Sequence, residues 1–247
     1  MSWSILCRDL TLCYGQHTAV ENLDAEIESG TLTALIGPNG AGKSTLLEAV
    51  VGNCVPAHGQ IVVCEQSRGA IAYLPQHSRI AGDLPIHVAG LVSMGLWTRR
   101  GAWGRRRRQD REDVRRAIEA LGLTGLAQRP IGALSGGEYQ RALFARILVQ
   151  DACLILLDEP FAAVDEQTAL LLQEVILRWH SEGRTVVTVL HDLYLVRTLF
   201  PRTLWLDRRK MAHDRTPVVL DEVQAWQASR GNRRNGHVQS VRSGRVC

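Results

Sequence analysis

Three short runs along the chain are apolar without alternation: Leu32 to Ile36, Leu154 to Leu157, and the β-branched Thr185 to Leu190. Strands that read this way belong to a sheet covered on both faces. Between them, apolar residues recur at helical spacing over Ser44 to Val51, Gln140 to Val149 and Thr168 to Trp179. Gly52 follows the first of these as a C′ glycine. Strands alternating with helices predict an α/β fold with parallel strands. The middle of the chain differs. From about Ser78 to Leu134 no buried strand stands out, and helical segments such as Val88 to Met94 and Arg111 to Leu121 dominate. This predicts a helical subdomain, about residues 78–150, inserted in an α/β domain of residues 1–227. Residues 228–247 are rich in Gly, Asn, Arg and Ser and poor in apolar side chains, which predicts a disordered basic tail.

Composition narrows the class. The 247 residues are 45% hydrophobic and 22% charged, an ordinary globular mix long enough to bury a substantial core. The net charge of +4 is unevenly placed. Ala228 to Cys247 holds five arginines and no acid, and without it 24 basic residues face 25 acidic ones. Arg99 to Arg116 holds nine arginines against three acids. The basicity is therefore local and does not describe a chain built to coat nucleic acid. The arginine run reads as a solvated helical face with ion pairs such as Glu112 with Arg116, in preference to a patch for anionic lipid. Six cysteines, at 7, 13, 54, 64, 153 and 247, show no C-x-x-C spacing, so reduced thiols are expected. The amino end has no basic region followed by a long apolar run, so no signal peptide is expected. No apolar run approaches the roughly 20 residues that span a bilayer, so any membrane role needs a spanning partner.

Chemistry concentrates in three places. Gly37-Pro38-Asn39-Gly40-Ala41-Gly42-Lys43-Ser44 matches G-x-x-x-x-G-K-[ST] between a predicted strand and a predicted helix. Glycines let such a backbone wrap phosphates with its N–H groups, the helix N-terminus adds positive potential, Lys43 meets the β- and γ-phosphates, and Ser44 can ligate Mg²⁺. Asp158 and Glu159 end an apolar strand, where active sites of parallel sheets lie. Asp158 suits a Mg²⁺ shell and Glu159 can polarise an attacking water. Ser135-Gly136-Gly137-Glu138 has the S-x-x-E spacing of a capping box before a helix, and the same hydroxyl and amides can bind an anion. One ATP needs one cradle. A head-to-tail dimer, with each Ser-Gly-Gly facing the partner's ATP, accounts for the second.

In this order and spacing, these motifs closely resemble the ATP-binding subunits of ABC transporters, from about Ser4 to Asp214. The resemblance implies an ABC-type phosphate-loop ATPase core with a mixed sheet, ATP and Mg²⁺ as ligands, and Thr45 beside Lys43 and Ser44 at the phosphates. It places Tyr14 where an aromatic stacks on adenine. Gln76, in Tyr73-Leu74-Pro75-Gln76, resembles the glutamine that senses Mg²⁺ and water and touches the membrane subunit. Leu134 to Gln140 looks like the signature sequence, with Glu138 where the pattern usually has Gln. Asp165, after Phe161-Ala162-Ala163-Val164, resembles the aspartate that faces the partner's nucleotide, and His191 resembles the switch histidine. Asp165 also reads as a helix cap.

Within the family, Ile71 to Gln76, Val92 to Trp97 and Pro160 to Asp165 look like the uptake branch for zinc, manganese and iron, and Trp97 to Trp103 is most similar to its zinc members. The resemblance then implies a homodimer at the cytoplasmic face of the membrane, docked on integral permease subunits and served indirectly by an extracytoplasmic metal-binding protein, with no nucleic acid partner. The alternatives are an ABC-type ATPase for another substrate, such as manganese or an iron chelate, and a soluble ABC ATPase of the cluster-assembly kind.

Overall fold

A computed structural model of the chain describes residues 3–15, 17–64, 71–76, 86–100 and 107–228. The expected disordered tail, apart from Ala228, lies outside the described residues, as do residues 77–85 and 101–106 of the middle segment.

Two sheets carry the fold. The larger runs in the order β5 (Ile71–Leu74), β6 (Leu154–Asp158), β7 (Thr185–Val189), β3 (Leu32–Ile36), β8 (Arg202–Asp207), β9 (Arg209–Arg215). All neighbours are parallel except β8 and β9, so the sheet is mixed. The smaller is antiparallel: β2 (His17–Glu28), β1 (Trp3–Tyr14), β4 (His58–Val63).

The three apolar runs form the centre of the larger sheet, and every residue of β3, β6 and β7 is buried. Their unbroken hydrophobicity follows from having a core on each face. Leu32, Ala34 and Ile36 of β3 enter one core and Leu35 the other. On β6, Ile155 and Leu157 enter the first, Leu154 and Leu156 the second. The second core is closed by β1, β2 and helix α1 (Lys43–Val50), which supplies Leu46, Leu47, Ala49 and Val50. Gly52 has a φ of 85° just past α1, as the C′ position requires.

The first core is closed by helices. Between β5 and β6 the described elements are α2 (Val88–Ser93), α3 (Trp97–Arg100), α4 (Arg108–Ala120), short 3₁₀ turns, and α5 (Gly136–Gln150). After β6 come α6 (Glu166–Ser181), α7 (Leu193–Leu199), and, past β9, a helix over 216–228, here α8. Val88, Leu91, Val114, Ile118 and Leu143 share one continuous core with Ile155 and Leu172. The described helices of this segment are thus seated on the sheet face and share its core. Phe144 of α5 stacks on Trp179 of α6 at 5.6 Å, a contact worth about 0.5–1.5 kcal/mol beyond area burial.

The arginine-rich α4 turns its arginines outward and buries Asp110. Glu112 pairs with Arg116 at 3.0 Å and with Arg115 at 2.8 Å, and Arg115 also reaches Glu119 at 2.9 Å. Among the described residues this is the solvated, ion-paired face expected. Five cysteines, 7, 13, 54, 64 and 153, are free. No helix among the described residues is long and apolar enough to cross a membrane.

Candidate nucleotide site

β3 delivers the chain into the glycine-rich loop at the carboxyl end of the sheet, and the loop turns directly into α1. Two glycines are required by contact as well as by dihedral. Gly37 has φ 152°, and a Cβ there would lie 2.0 Å from Leu206 O. Gly42 caps α1 with φ 91°, and a Cβ would meet Ala19 O at 2.4 Å and Val20 Cγ2 at 2.6 Å. The loop is therefore pressed between β8 and the β1–β2 hairpin, which fixes its curvature. Arg208 N adds a bond to Ala41 O at 3.2 Å.

A cleft of about 540 Å³ opens over the loop, lined by Ala19, Asn39 to Thr45, Gln76, Glu159 and His191. It gathers the sequence-predicted Asn39, Gly40, Ala41, Gly42, Lys43, Ser44 and Thr45 with Gln76, Glu159 and His191 from three other parts of the chain. Gly37 and Pro38 line a smaller adjoining cavity of about 190 Å³ with Leu190, His191, Trp205 and Trp226. The Lys43 ammonium folds back and donates to Gly37 O and Pro38 O at 2.9 Å each. Burial pulls its pKa below the ordinary lysine value, opposed by the carboxylates of Glu159 and Asp158. A polyphosphate entering the cleft can replace those two carbonyls as its partner.

Asp158 ends β6 and is only 2% exposed. Burial raises its pKa, a hydrogen bond from the Ser44 side chain opposes this, Glu159 adds to the rise and Lys43 counters it. Its Oδ1 is buried without a hydrogen-bond partner. A buried carboxylate oxygen lacking a partner, joined to a serine at the start of α1, fits a hard divalent cation completed by phosphate and water oxygens. Asp158 and Ser44 can hold Mg²⁺ in this way. A Mg²⁺ held there would supply charge neutralisation to the phosphates.

Glu159 follows at φ 51°, left-handed backbone that costs a non-glycine residue on the order of 1–3 kcal/mol. Its amide donates to Val189 O at 3.3 Å. The turn carries its carboxylate to His191, whose Nε2 lies 2.6 Å from Glu159 Oε1. The following turn is held by Gln140 of α5, which donates to Pro160 O at 2.8 Å. Gln140 is a support that the motif reading passed over. A glutamine in the second turn of a helix gives no signal until its partner strand is known.

Ser135 caps α5 in the capping box its spacing predicted: Glu138 N donates to Ser135 Oγ at 3.2 Å and Ser135 N to Glu138 Oε2 at 2.8 Å. The Ser135 bonds hold the Glu138 carboxyl below the usual carboxylate range. This corner does not line the cleft of its own chain. It packs beside the loop after Glu159. A Cβ on Gly137 would lie 3.0 Å from Asp165 Oδ2, and one on Gly136 would lie 3.6 Å from Ala163 O. Ser135 and Gly136 stay exposed. Asp165 caps α6, accepting from Thr168 N at 2.9 Å and Thr168 Oγ1 at 2.8 Å. Tyr14 is 81% exposed at the end of β1 and lies outside the cleft lining.

Residues 20–162 match the family model for the ABC transporter. The chain is 37% identical over 92% of its length to the probable metal transport system ATP-binding protein of Chlamydia trachomatis, of which the match covers 89%. It is 36% identical to the manganese transport system ATP-binding protein of Listeria monocytogenes, over 83% of this chain and 87% of that one. It is also 36% identical to the zinc transport system ATP-binding protein of Treponema pallidum, over 93% and 88%. A solved ABC transporter of metal-chelate type, in an inward-facing conformation, superposes with a TM-score of 0.77 at 29% identity, covering 89% of this chain and 86% of that one. With the phosphate loop, the Asp158–Glu159 strand end and the capped Ser-Gly-Gly corner in one fold, the chain belongs to the ABC transporter family as an ATP-hydrolysing ABC ATPase.

Proposed function

We propose that this ATPase energises an importer for a divalent transition metal, zinc foremost, and that two copies close around two ATP molecules. The observation that carries the dimer is the separation within one chain. The phosphate loop, Gln76, Glu159 and His191 share a cleft, while the exposed Ser135–Gly136 corner faces elsewhere. A second copy brings that corner to the open side of the cleft. A solved bacterial ABC transporter cassette with a TM-score of 0.74 is itself dimeric.

In this reading the loop amides and Lys43 bind the phosphates, and Lys43 exchanges its Gly37 and Pro38 carbonyls for the γ-phosphate. Ser44, Asp158 and Gln76 hold Mg²⁺, and Thr45 supports the phosphates. Tyr14 stacks on adenine from the exposed hairpin. Glu159 takes a proton from the attacking water, and His191 orients Glu159 and supports charge on the transferring phosphoryl group. Ser135, Gly136 and Gly137 of the other copy, flanked by Glu138 and Asp165, clamp the γ-phosphate. The work is positioning and electrostatics, as phosphoryl transfer requires. The domain is read as residues 1–227, with a helical unit of about 78–150 passing motion to permease subunits at the cytoplasmic face of the membrane.

Relatives named for metal transport support the cargo class. Zinc is favoured by the Trp97 to Trp103 segment. Manganese is the second reading, because the relatives named for zinc and manganese stand at the same identity. The test is a strain lacking the gene, complemented by the wild type or by Glu159→Gln, with cellular zinc, manganese and iron measured by elemental mass spectrometry. Zinc lost alone and restored only by the active chain supports the proposal. Manganese lost alone moves the cargo, and unchanged metal content refutes metal import.

A further inference from the structure

β5 is the outermost strand of the six-stranded sheet and is four residues long. Among the described residues it pairs with β6 on one side and with no strand on the other. Side chains take up the outward carbonyls. Gln150 Nε2 donates to Ile71 O at 2.7 Å, and Arg146 Nη2 donates to Tyr73 O at 3.4 Å. Both donors lie one turn apart on α5, the helix that opens at Ser135.

The side chain of Tyr73 reaches the other way. Its hydroxyl donates to Glu48 Oε1 at 3.0 Å. Glu48 sits on α1, one turn beyond Ser44, and its second oxygen accepts from Asn53 Nδ2 at 2.6 Å. Burial, then the negative charges of Glu48 and Asp158, raise the phenol's pKa far above its ordinary value, so the hydroxyl remains a donor. Only Leu74 and Pro75 separate Tyr73 from Gln76, and Pro75 has a ring-locked φ. Tyr73 thus stands three residues before Gln76, which lines the cleft.

We propose that Tyr73 is a positioning residue for hydrolysis: its hydroxyl on Glu48 and its carbonyl on Arg146 tie β5, the strand before Gln76, to α1 and α5, and so fix Gln76 at the nucleotide. This rests on the reading of Gln76 given above. The bond to α1 is the specific part. It holds the strand that leads to Gln76 against the same helix that begins with Lys43 and Ser44, so the glutamine and the serine keep one spacing. Losing the hydroxyl leaves the phosphate loop intact and loosens only Gln76. ATP binding then survives while Mg²⁺-dependent turnover suffers.

The experiment uses the purified full chain. ATP affinity without Mg²⁺, kcat, KM and the Mg²⁺ concentration for half-maximal rate are measured for the wild type, Tyr73→Phe, Glu48→Gln, Glu48→Leu, the Tyr73→Phe/Glu48→Leu pair and Gln76→Ala. Tyr73→Phe is expected to bind Mg²⁺-free ATP as the wild type does, with kcat lowered about tenfold and the Mg²⁺ requirement raised. Glu48→Gln still offers an oxygen to the phenol, and the exposed Asn53 can turn its amide to suit, so its kcat stays above that of Glu48→Leu. The pair of substitutions does no more damage than either alone, as a shared interaction requires. Unchanged kcat and Mg²⁺ requirement in Tyr73→Phe overturns the proposal, as do additive losses in the pair or a fall in ATP affinity equal to the fall in kcat. Gln76→Ala separates the two readings. If it is slow while Tyr73→Phe is normal, Tyr73 alone is misassigned; if it turns over like the wild type, the Gln76 role fails and the role of Tyr73 fails with it.

Discussion

His191 Nε2 stands 2.6 Å from Glu159 Oε1, and the two residues follow neighbouring strands, β7 and β6. The histidine thereby fixes one carboxylate oxygen of a residue that lines the cleft. In Glu159→Gln the proposed proton acceptor is gone while shape and phosphate contacts persist. Turnover is expected to fall about 100-fold or more, with ATP affinity kept. Single-turnover hydrolysis beside equilibrium nucleotide binding checks this, and rapid steady turnover by the variant counts against the role.

Lys43 is buried against its own loop with two carbonyl partners. Lys43→Ala removes the cation proposed for the phosphates and frees those carbonyls. ATP affinity is expected to drop by about 10- to 100-fold, the scale of a charged hydrogen bond. Titration with a fluorescent ATP analogue reads it, and an unchanged dissociation constant removes the lysine from the cradle.

Ser135 serves a helix and, in the proposal, a partner's nucleotide. Two substitutions separate these roles. Ser135→Ala loses the cap, about 1 kcal/mol, whereas glycine at that position costs only about a few tenths. In a chain of this size about 1 kcal/mol lowers Tm by roughly 2–4 °C. Both Ser135→Ala and Ser135→Gly, placed in the Glu159→Gln background, are expected to weaken ATP-driven dimerisation, but only the alanine lowers Tm appreciably. Light scattering with ATP and calorimetry without it make the comparison. A glycine variant that dimerises normally confines the serine to capping.

Asp158 holds a buried carboxylate with an oxygen that finds no partner, and its raised pKa means that ionisation is disfavoured in the fold. With the folded pKa above the unfolded one, the ionised group subtracts stability as pH rises past the unfolded value, and the loss is complete once pH exceeds the folded pKa. Asp158→Asn is therefore expected to raise Tm in the absence of Mg²⁺ and nucleotide while abolishing Mg²⁺-dependent hydrolysis. Calorimetry at neutral pH tests the sign, and a lower Tm for the variant contradicts it.

Gly42 leaves no room for a side chain between the loop and the β1–β2 hairpin. Gly42→Ala is expected to destabilise the chain by about 1–3 kcal/mol from the backbone conformation, and by more from the contacts with Ala19 and Val20. A denaturant midpoint measures the loss.

The residues proposed for chemistry were legible because they sit in motifs whose spacing is dictated by phosphate and helix geometry. Lys43, Glu159 and the Ser135–Glu138 box stand where the sequence placed them on loops, strand ends and caps. β3, β6 and β7 were legible because burial on both faces leaves no polar position to confuse the pattern. β1 and β2 were not marked. β1 is interrupted by Arg8 and Asp9, with Asp9 at φ 46°, and its register shifts break any period. β9 is almost entirely polar, RKMAHDR, because it borders the sheet. The supports of the site were hidden for another reason. Gln140 to Pro160 and Tyr73 to Glu48 join residues 20 and 25 positions apart, and nothing local announces such a pair.

The way Gln150 and Arg146 occupy the outer carbonyls of β5 also bears on solubility. A border strand with open carbonyls invites a strand from another molecule, and growth from such borders leads to aggregates. Here the Ile71 and Tyr73 carbonyls are already engaged by the chain's own side chains. Crowding many copies together therefore finds these two carbonyls already taken.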